Sequence, residues 1–343
     1  MRSFKIILVF LSFSLVIIQP CLAIKEETAD RYGITGDLER EERPVEEYAV
    51  PREKALDFYM SIDVQQGFDN NVDLDPQKHM DGFIQGIGNA EINYRTAWEG
   101  LTLIGGVDLF EMVYYKYNDN NIFEAEPYAG FNWDIIPGLT WRNKTTFDYY
   151  SYPNEKESTF LGWEVHTSLR HFILEWLYHE PQYEYIRRWY PDWKVSKNTG
   201  QIDNANRLDD RHKFKYTFGM YFPTFMIKCS NEVYYNDSND MFQDYYDYWV
   251  YRVRPSIMYF LTDNLYTDVS FVYRHYWYDD RRSTEKSWEL VRDNTFIATL
   301  ALYYDVTKNI TLEATYSYTE NTSNDPFNKF TDSIVSGGIY FSF

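Results

Sequence analysis

The sequence predicts an all-β chain: an antiparallel up-and-down β-barrel that crosses a membrane with about 14 strands. Three observations lead there. Segments of period-two alternation recur along most of the chain, and the breaks between them alternate between short and long. Aromatic residues make up 20 %, with 33 Tyr, 24 Phe and 10 Trp, yet mean hydropathy is −0.53. Nowhere beyond the N-terminus is there an apolar run long enough for a membrane helix. A barrel reconciles these facts, because only alternate residues of each strand meet lipid.

The N-terminus reads as two segments outside the barrel. Residues 1–23 form an export signal: Arg2 and Lys5, an apolar core from Ile6 to Ile18, then Cys21-Leu22-Ala23. Residues 24–54 are charged and aperiodic, and are expected to be a flexible arm. Removing the signal leaves Cys229 alone, so no internal disulfide and no cysteine-type zinc site is expected. The net charge of −19 argues against nucleic acid as a partner.

The barrel is expected over 55–343. Candidate strands are 56–68, 83–98, 101–116, 122–135, 139–151, 159–169, 171–180, 211–222, 224–236, 245–260, 265–278, 293–305, 309–320 and 332–343. Short breaks fall at Glu99-Gly100, Ile136-Pro137-Gly138, Arg170, Pro223, 261–264 and 306–308. Long ones fall at 69–82, 117–121, 152–158, 181–210, 237–244, 279–292 and 321–331. The alternation is plain in 309–320, where Ile310, Leu312, Ala314, Tyr316 and Tyr318 interleave with Thr311, Glu313, Thr315, Ser317 and Thr319. It is weak in 171–180; without that pair the barrel has 12 strands. Trp98, Trp133, Trp141, Phe225 and Phe260 lie beside short breaks. Tyr114-Tyr115, Tyr149-Tyr150, Tyr234-Tyr235 and Trp277-Tyr278 lie beside long ones. They suggest belts at the two lipid–water boundaries.

The last strand alternates to the final residue. Val335, Ile339, Phe341 and Phe343 share one face; Ser336, Gly338, Tyr340 and Ser342 share the other. Such an ending is a free edge unless it pairs with the first strand. Ser336, Gly338, Phe341 and Phe343 resemble the C-terminal assembly signal of bacterial outer-membrane β-barrel proteins of porin-like type. That resemblance implies an outer-membrane location, short periplasmic turns, long extracellular loops and a periplasmic arm. It also implies lipid, lipopolysaccharide and the barrel-assembly machinery as partners; a homo-oligomer is compatible with it.

Inward parity sorts charges into two walls. Asp63, Glu91, Asp108, Glu124, Glu126 and Asp134 fall in the first four strands. Arg142, Lys144, Lys213, Lys215, Lys228, Arg252, Arg254 and Arg274 fall later. Facing walls of opposite sign suit a channel for small hydrophilic solutes, with anionic sugars matching the basic side. The same charges could instead pair across the lumen and close it. In the expected 181–210 loop, Tyr183, Tyr185, Trp189, Tyr190 and Trp193 suit stacking on sugar rings. Asp237, Asp240, Asp244, Asp279 and Asp280 suit divalent bridging to lipopolysaccharide. No metal or other cofactor is expected. An enzyme would rest on Glu164, His166 and Ser168, three polar residues that chance alone puts on a lumen face; none of the Gly-x-Ser-x-Gly, His-Glu-x-x-His or phosphate-loop motifs occurs. A third reading is the barrel of a surface or exopolysaccharide export system. Gly138-Leu139-Thr140, Asn309-Ile310-Thr311-Leu312 and Asn321-Thr322-Ser323-Asn324 loosely resemble such proteins.

Overall fold

The computed structural model describes residues 55–197, 200, 202–241, 246–286 and 288–343; the expected export signal and arm lie outside the described residues. The strands are β1 (Leu56–Asp69), β2 (Asp81–Arg95), β3 (Leu101–Tyr114), β4 (Ile122–Ile136), β5 (Leu139–Ser151), β6 (Phe160–Leu174) and β7 (Leu177–Ser196). They continue with β8 (Ile202–Tyr221), β9 (Phe225–Ser238), β10 (Tyr248–Phe260), β11 (Leu265–Tyr278), β12 (Asp293–Thr307), β13 (Ile310–Ser323) and β14 (Phe330–Ser342).

Each strand pairs antiparallel with its sequence neighbours, and β1 pairs with β14 to close the ring. The closing register runs from Ser61 opposite Ser342 to Asp69 opposite Ile334. Phe343 N donates to Met60 O at 2.9 Å, so the pairing reaches the last residue. At the rim that holds both strand ends, connections are short: 96–100, 137–138, 175–176, 222–224, 261–264 and 308–309. Gly100 and Gly138 take φ of +76° and +81° there, the left-handed backbone that tight turns need. Most connections at the opposite rim are longer.

The distribution of polarity is inside out. On β11, Phe271 is 56 % exposed while Ser270 is 4 % exposed. Ile62, Val64, Leu109, Ile257, Leu302 and Leu312 are likewise exposed on the outer wall. A water-soluble fold would not strand these groups; lipid is the solvent that accepts them. The barrel therefore spans a membrane with its strands; the rim of short turns is called periplasmic and the opposite rim extracellular, after the location that the sequence implies.

Several expectations are corrected. The segment 181–210 is not a long loop: β7 and β8 are 20 residues each and pair with one another from Leu177–Met220 to Ser196–Ile202. The turn sits at Glu175-Trp176, not at Arg170. Tyr183, Tyr185 and Trp189 are accordingly outer-face strand residues, while Tyr190 is buried. The 12-strand alternative falls with that loop. The aromatic belts are also thinner than expected. Consecutive residues point to opposite faces, so Tyr115, Tyr149, Tyr235 and Trp277 face outward while Tyr114, Tyr150, Tyr234 and Tyr278 are buried within.

Leu300→Arg, on the outer wall midway along β12, should destabilise the folded barrel in lipid vesicles by about 2–4 kcal/mol. Thr299→Arg, one residue earlier and facing inward, should cost clearly less. Urea unfolding of both variants measures the difference; equal costs would contradict the assigned faces.

Candidate functional site

The interior is layered. At the extracellular end, side chains turned inward from β2 to β7 pack together: Phe83, Phe110, Met112, Tyr114, Ile122, Tyr150, Phe160 and Tyr190. Val72, from the β1–β2 loop, is buried among them. A separate cluster on β9 to β11 joins Tyr234, Tyr248, Val250, Tyr276 and Tyr278. Arginines of β8 stand between the two. Arg207 lies over the rings of Tyr246 at 3.5 Å and Tyr190 at 4.5 Å and pairs with Asp209. Arg211 lies over Tyr234 at 4.7 Å and donates to Tyr248 Oη at 3.0 Å. These residues form a collar at the mouth. A smaller cluster of Met226, Met258 and Tyr266 sits at the periplasmic end of the lumen.

Between these ends the lining is charged, and every residue expected in the two walls lies at an inward position. Asp63 accepts a hydrogen bond from Gln65 at 3.0 Å. Glu91 accepts from Asn93 and from Tyr128 Oη, both at 2.7 Å. Asp108 accepts from Asn89 at 2.6 Å and lies 3.6 Å from Lys144 Nζ. Lys144 also caps the Tyr128 ring at 4.0 Å. Glu124 is buried and Glu126 follows it on the same face of β4. Asp134 sits at the periplasmic rim, where Thr140 donates to it at 2.6 Å. Arg142 is in register with Ser168. On the far arc, Lys213 pairs with Glu184, and Arg252 lies 3.9 Å from Glu232, which is also in register with Lys215. Arg274 faces Arg252 across the β10–β11 ladder, Arg254 faces Ser230, and Lys228 faces Ser256.

The walls are less cleanly divided than the sequence suggested. Asp148, Glu164, Glu180 and Glu184 carry acid on into β5, β6 and β7. Arg170 binds Glu180 at 2.8 Å, and Arg188 lies over the Phe160 ring at 4.7 Å. The Glu184, Arg188, Arg207 and Asp209 contributions were hidden by the assignment of 181–210 to a loop. Alternation of Tyr183, Tyr185 and Trp189 with Glu184, Ile186 and Arg188 is the signal that reveals them.

Ser168 Oγ donates to Glu180 Oε1 at 2.7 Å. Among the loop acids, Asp240 is buried and accepts from Ser196 N at 3.1 Å, Asp279 accepts from Tyr235 Oη at 3.2 Å, and Asp280 pairs with Arg282. Asp244 lies outside the described residues.

Solved barrels resemble this one in architecture. OmpT of Vibrio cholerae is 11 % identical over 86 % of this chain and all of its own, with a TM-score of 0.47. An anion-selective porin from Comamonas acidovorans is 7 % identical over 84 % of this chain and 99 % of its own, with a TM-score of 0.48. A deletion mutant of the TodX monoaromatic hydrocarbon channel is 8 % identical over 84 % of this chain and 90 % of its own, also at 0.48. At these identities and scores the likeness says nothing about what the lumen handles. No protein-family model and no curated protein sequence matches the chain.

Arg207→Ala should destabilise the collar by about 3–5 kcal/mol, because Arg207 and Asp209 are both fully buried and the carboxylate loses its ion-pair partner. Arg207→Met with Asp209→Leu should recover most of that loss. Thermal unfolding in detergent, followed by far-UV circular dichroism, tests both.

Proposed function

We propose that this protein is an outer-membrane channel for passive diffusion of small hydrophilic solutes, with anionic sugars the class its basic arc suits. The observation that supports this is the wetness of the mid-barrel lining. Lys144 and Asp108 face the interior of a closed ring and still keep 37 % and 36 % of their side-chain surface open. Eight strands leave an interior that side chains fill; fourteen leave more room. Lys213, Lys215, Lys228, Arg252, Arg254 and Arg274 line one arc of it, and clustered charge of one sign sets ion preference in a narrow pore. In this reading the collar, to which the β1–β2 loop contributes Val72, acts as the constriction.

The remaining assignments belong to the same reading. Ser336, Gly338, Phe341 and Phe343 serve as the assembly signal for the barrel-assembly machinery. Exposed acids of the extracellular loops meet lipopolysaccharide through divalent ions, and the outer wall meets lipid. The barrel performs no covalent chemistry. A structural role as the barrel of a surface or exopolysaccharide export system is the second reading, and the tight burial of the collar favours it.

Planar-bilayer recording of the purified protein should show discrete conductance steps with anion preference. Arg252→Glu with Arg254→Glu should move the reversal potential in a salt gradient toward cations. An unmoved reversal potential removes the basic arc from selectivity. A folded barrel that never conducts and co-purifies with a periplasmic complex supports the export reading instead.

A further inference from the structure

Just below the collar, three carboxylates converge: Glu124 and Glu126 from β4 and Asp148 from β5. One oxygen of each lies within 4.8 Å of the others. Proximity of acids is common and decides nothing alone. What sets this trio apart is that two of its oxygens are buried without a hydrogen-bond partner among the described residues. Glu124 is 2 % exposed, and its Oε1 has no hydrogen-bond partner among the described residues. Asp148 Oδ1 is likewise buried and unpartnered there.

The backbone is shaped around the cluster. Gly162 of β6 is in register with Asp148. A Cβ on Gly162 would meet Asp148 Cβ at 2.9 Å and Oδ2 at 3.1 Å. The missing side chain is the space into which the Asp148 carboxylate folds. Two cations act on the trio: Lys144, already 3.6 Å from Asp108, and Arg188, stacked on Phe160. Three carboxylates, two of them with a buried and unpartnered oxygen, against such shared cations leave excess negative charge in the barrel wall. Burying uncompensated charge costs several kcal/mol.

We infer that Glu124, Glu126 and Asp148 form a calcium-binding site in the barrel wall. The donors are all carboxylate oxygens, the hard ligands that calcium takes and soft metals do not favour. Calcium–oxygen distances of about 2.3–2.6 Å put opposite ligand oxygens about 5 Å apart, and the trio already fits within that span. Water reaching the polar lumen fills the remaining positions. The bound ion ties β4 to β5 immediately beneath Ile122 and Tyr150 of the collar, whether or not solutes pass through the lumen.

The test is titration of the full-length, detergent-folded protein with CaCl2 after chelator treatment, by isothermal calorimetry and by thermal unfolding. Wild type should show a saturable site and a rise in unfolding temperature on adding calcium. Glu124→Gln and Asp148→Asn should each weaken that site at least tenfold and abolish the rise. Gly162→Ala keeps every carboxylate but crowds Asp148, and should weaken binding as well; it covers the case in which a charge variant fails to fold. Glu99→Gln with Glu175→Gln, both exposed in short loops at the other rim, should leave the site unchanged. The assignment is overturned if wild type shows no saturable site, if the loop variant rather than the wall variants loses it, or if infrared spectra show protonated carboxyls that calcium does not discharge. Conductance is not the readout, so loss of the channel reading would leave this result standing.

Discussion

The constraint on which everything else rests is the pairing of β1 with β14. In hydrocarbon there is no water to satisfy a backbone amide, and each unpaired group costs several kcal/mol. An open sheet of 14 strands would present two such edges along its full length. Closure from Ser61–Ser342 to Asp69–Ile334 removes both at once. The last residue is part of this seam, through reciprocal bonds between Phe343 and Met60. Once the ring is shut, every side chain must choose lipid or lumen, and the pleat decides which.

That choice makes the interior available for polar groups at a density a soluble core would not tolerate. Buried acids and bases such as Glu180 with Arg170 and Glu184 with Lys213 sit in the wall because the outer face is already given to apolar groups. Their pairing keeps desolvation affordable where the lumen is tight. Lys144 and Asp108, by contrast, keep 37 % and 36 % of their side-chain surface open. The collar is the counterpart of this arrangement. Aromatic residues at inward positions near the long loops have no lipid to face, so they pack on one another and on arginine guanidinium planes.

The parts that could be read from the sequence are those where lipid enforced the alternation. The limits of β5 and β11 match the expected ones to the residue, and Gly100 and Gly138 marked their turns because no other residue takes that backbone conformation cheaply. The β7–β8 hairpin escaped for the converse reason. Beyond the hydrocarbon a strand's outer face need not be apolar. There Arg187 pairs with Asp210, at 2.8 Å, on the outside of the hairpin. Pro181 and Pro191 add breaks that argue against a central strand. The collar was hidden by its own apolarity. In β3, Leu109 and Val113 face out while Phe110, Met112 and Tyr114 face in, so the run has no period to detect. The charged walls were half legible, since parity assigns a face to each residue but cannot say which partner it finds across a neighbouring strand.

The same geometry explains why the two arcs of charge differ in character. On β1 to β3 the wall acids accept hydrogen bonds from neutral donors: Asp63 from Gln65, Glu91 from Asn93 and Tyr128, Asp108 from Asn89. Neutral donors leave the net charge of the wall in place. From β8 to β11 basic residues outnumber the acids among them, and Arg252 and Arg274 stand directly opposite each other in the ladder. Like charges so placed persist only if something offsets them, and Glu232 beside Arg252 is one such group. Glu184 and Lys213 join the arcs where acid gives way to base. Basic side chains are thus concentrated on one arc of the lumen, and a low-dielectric wall screens such charges less than bulk solvent does.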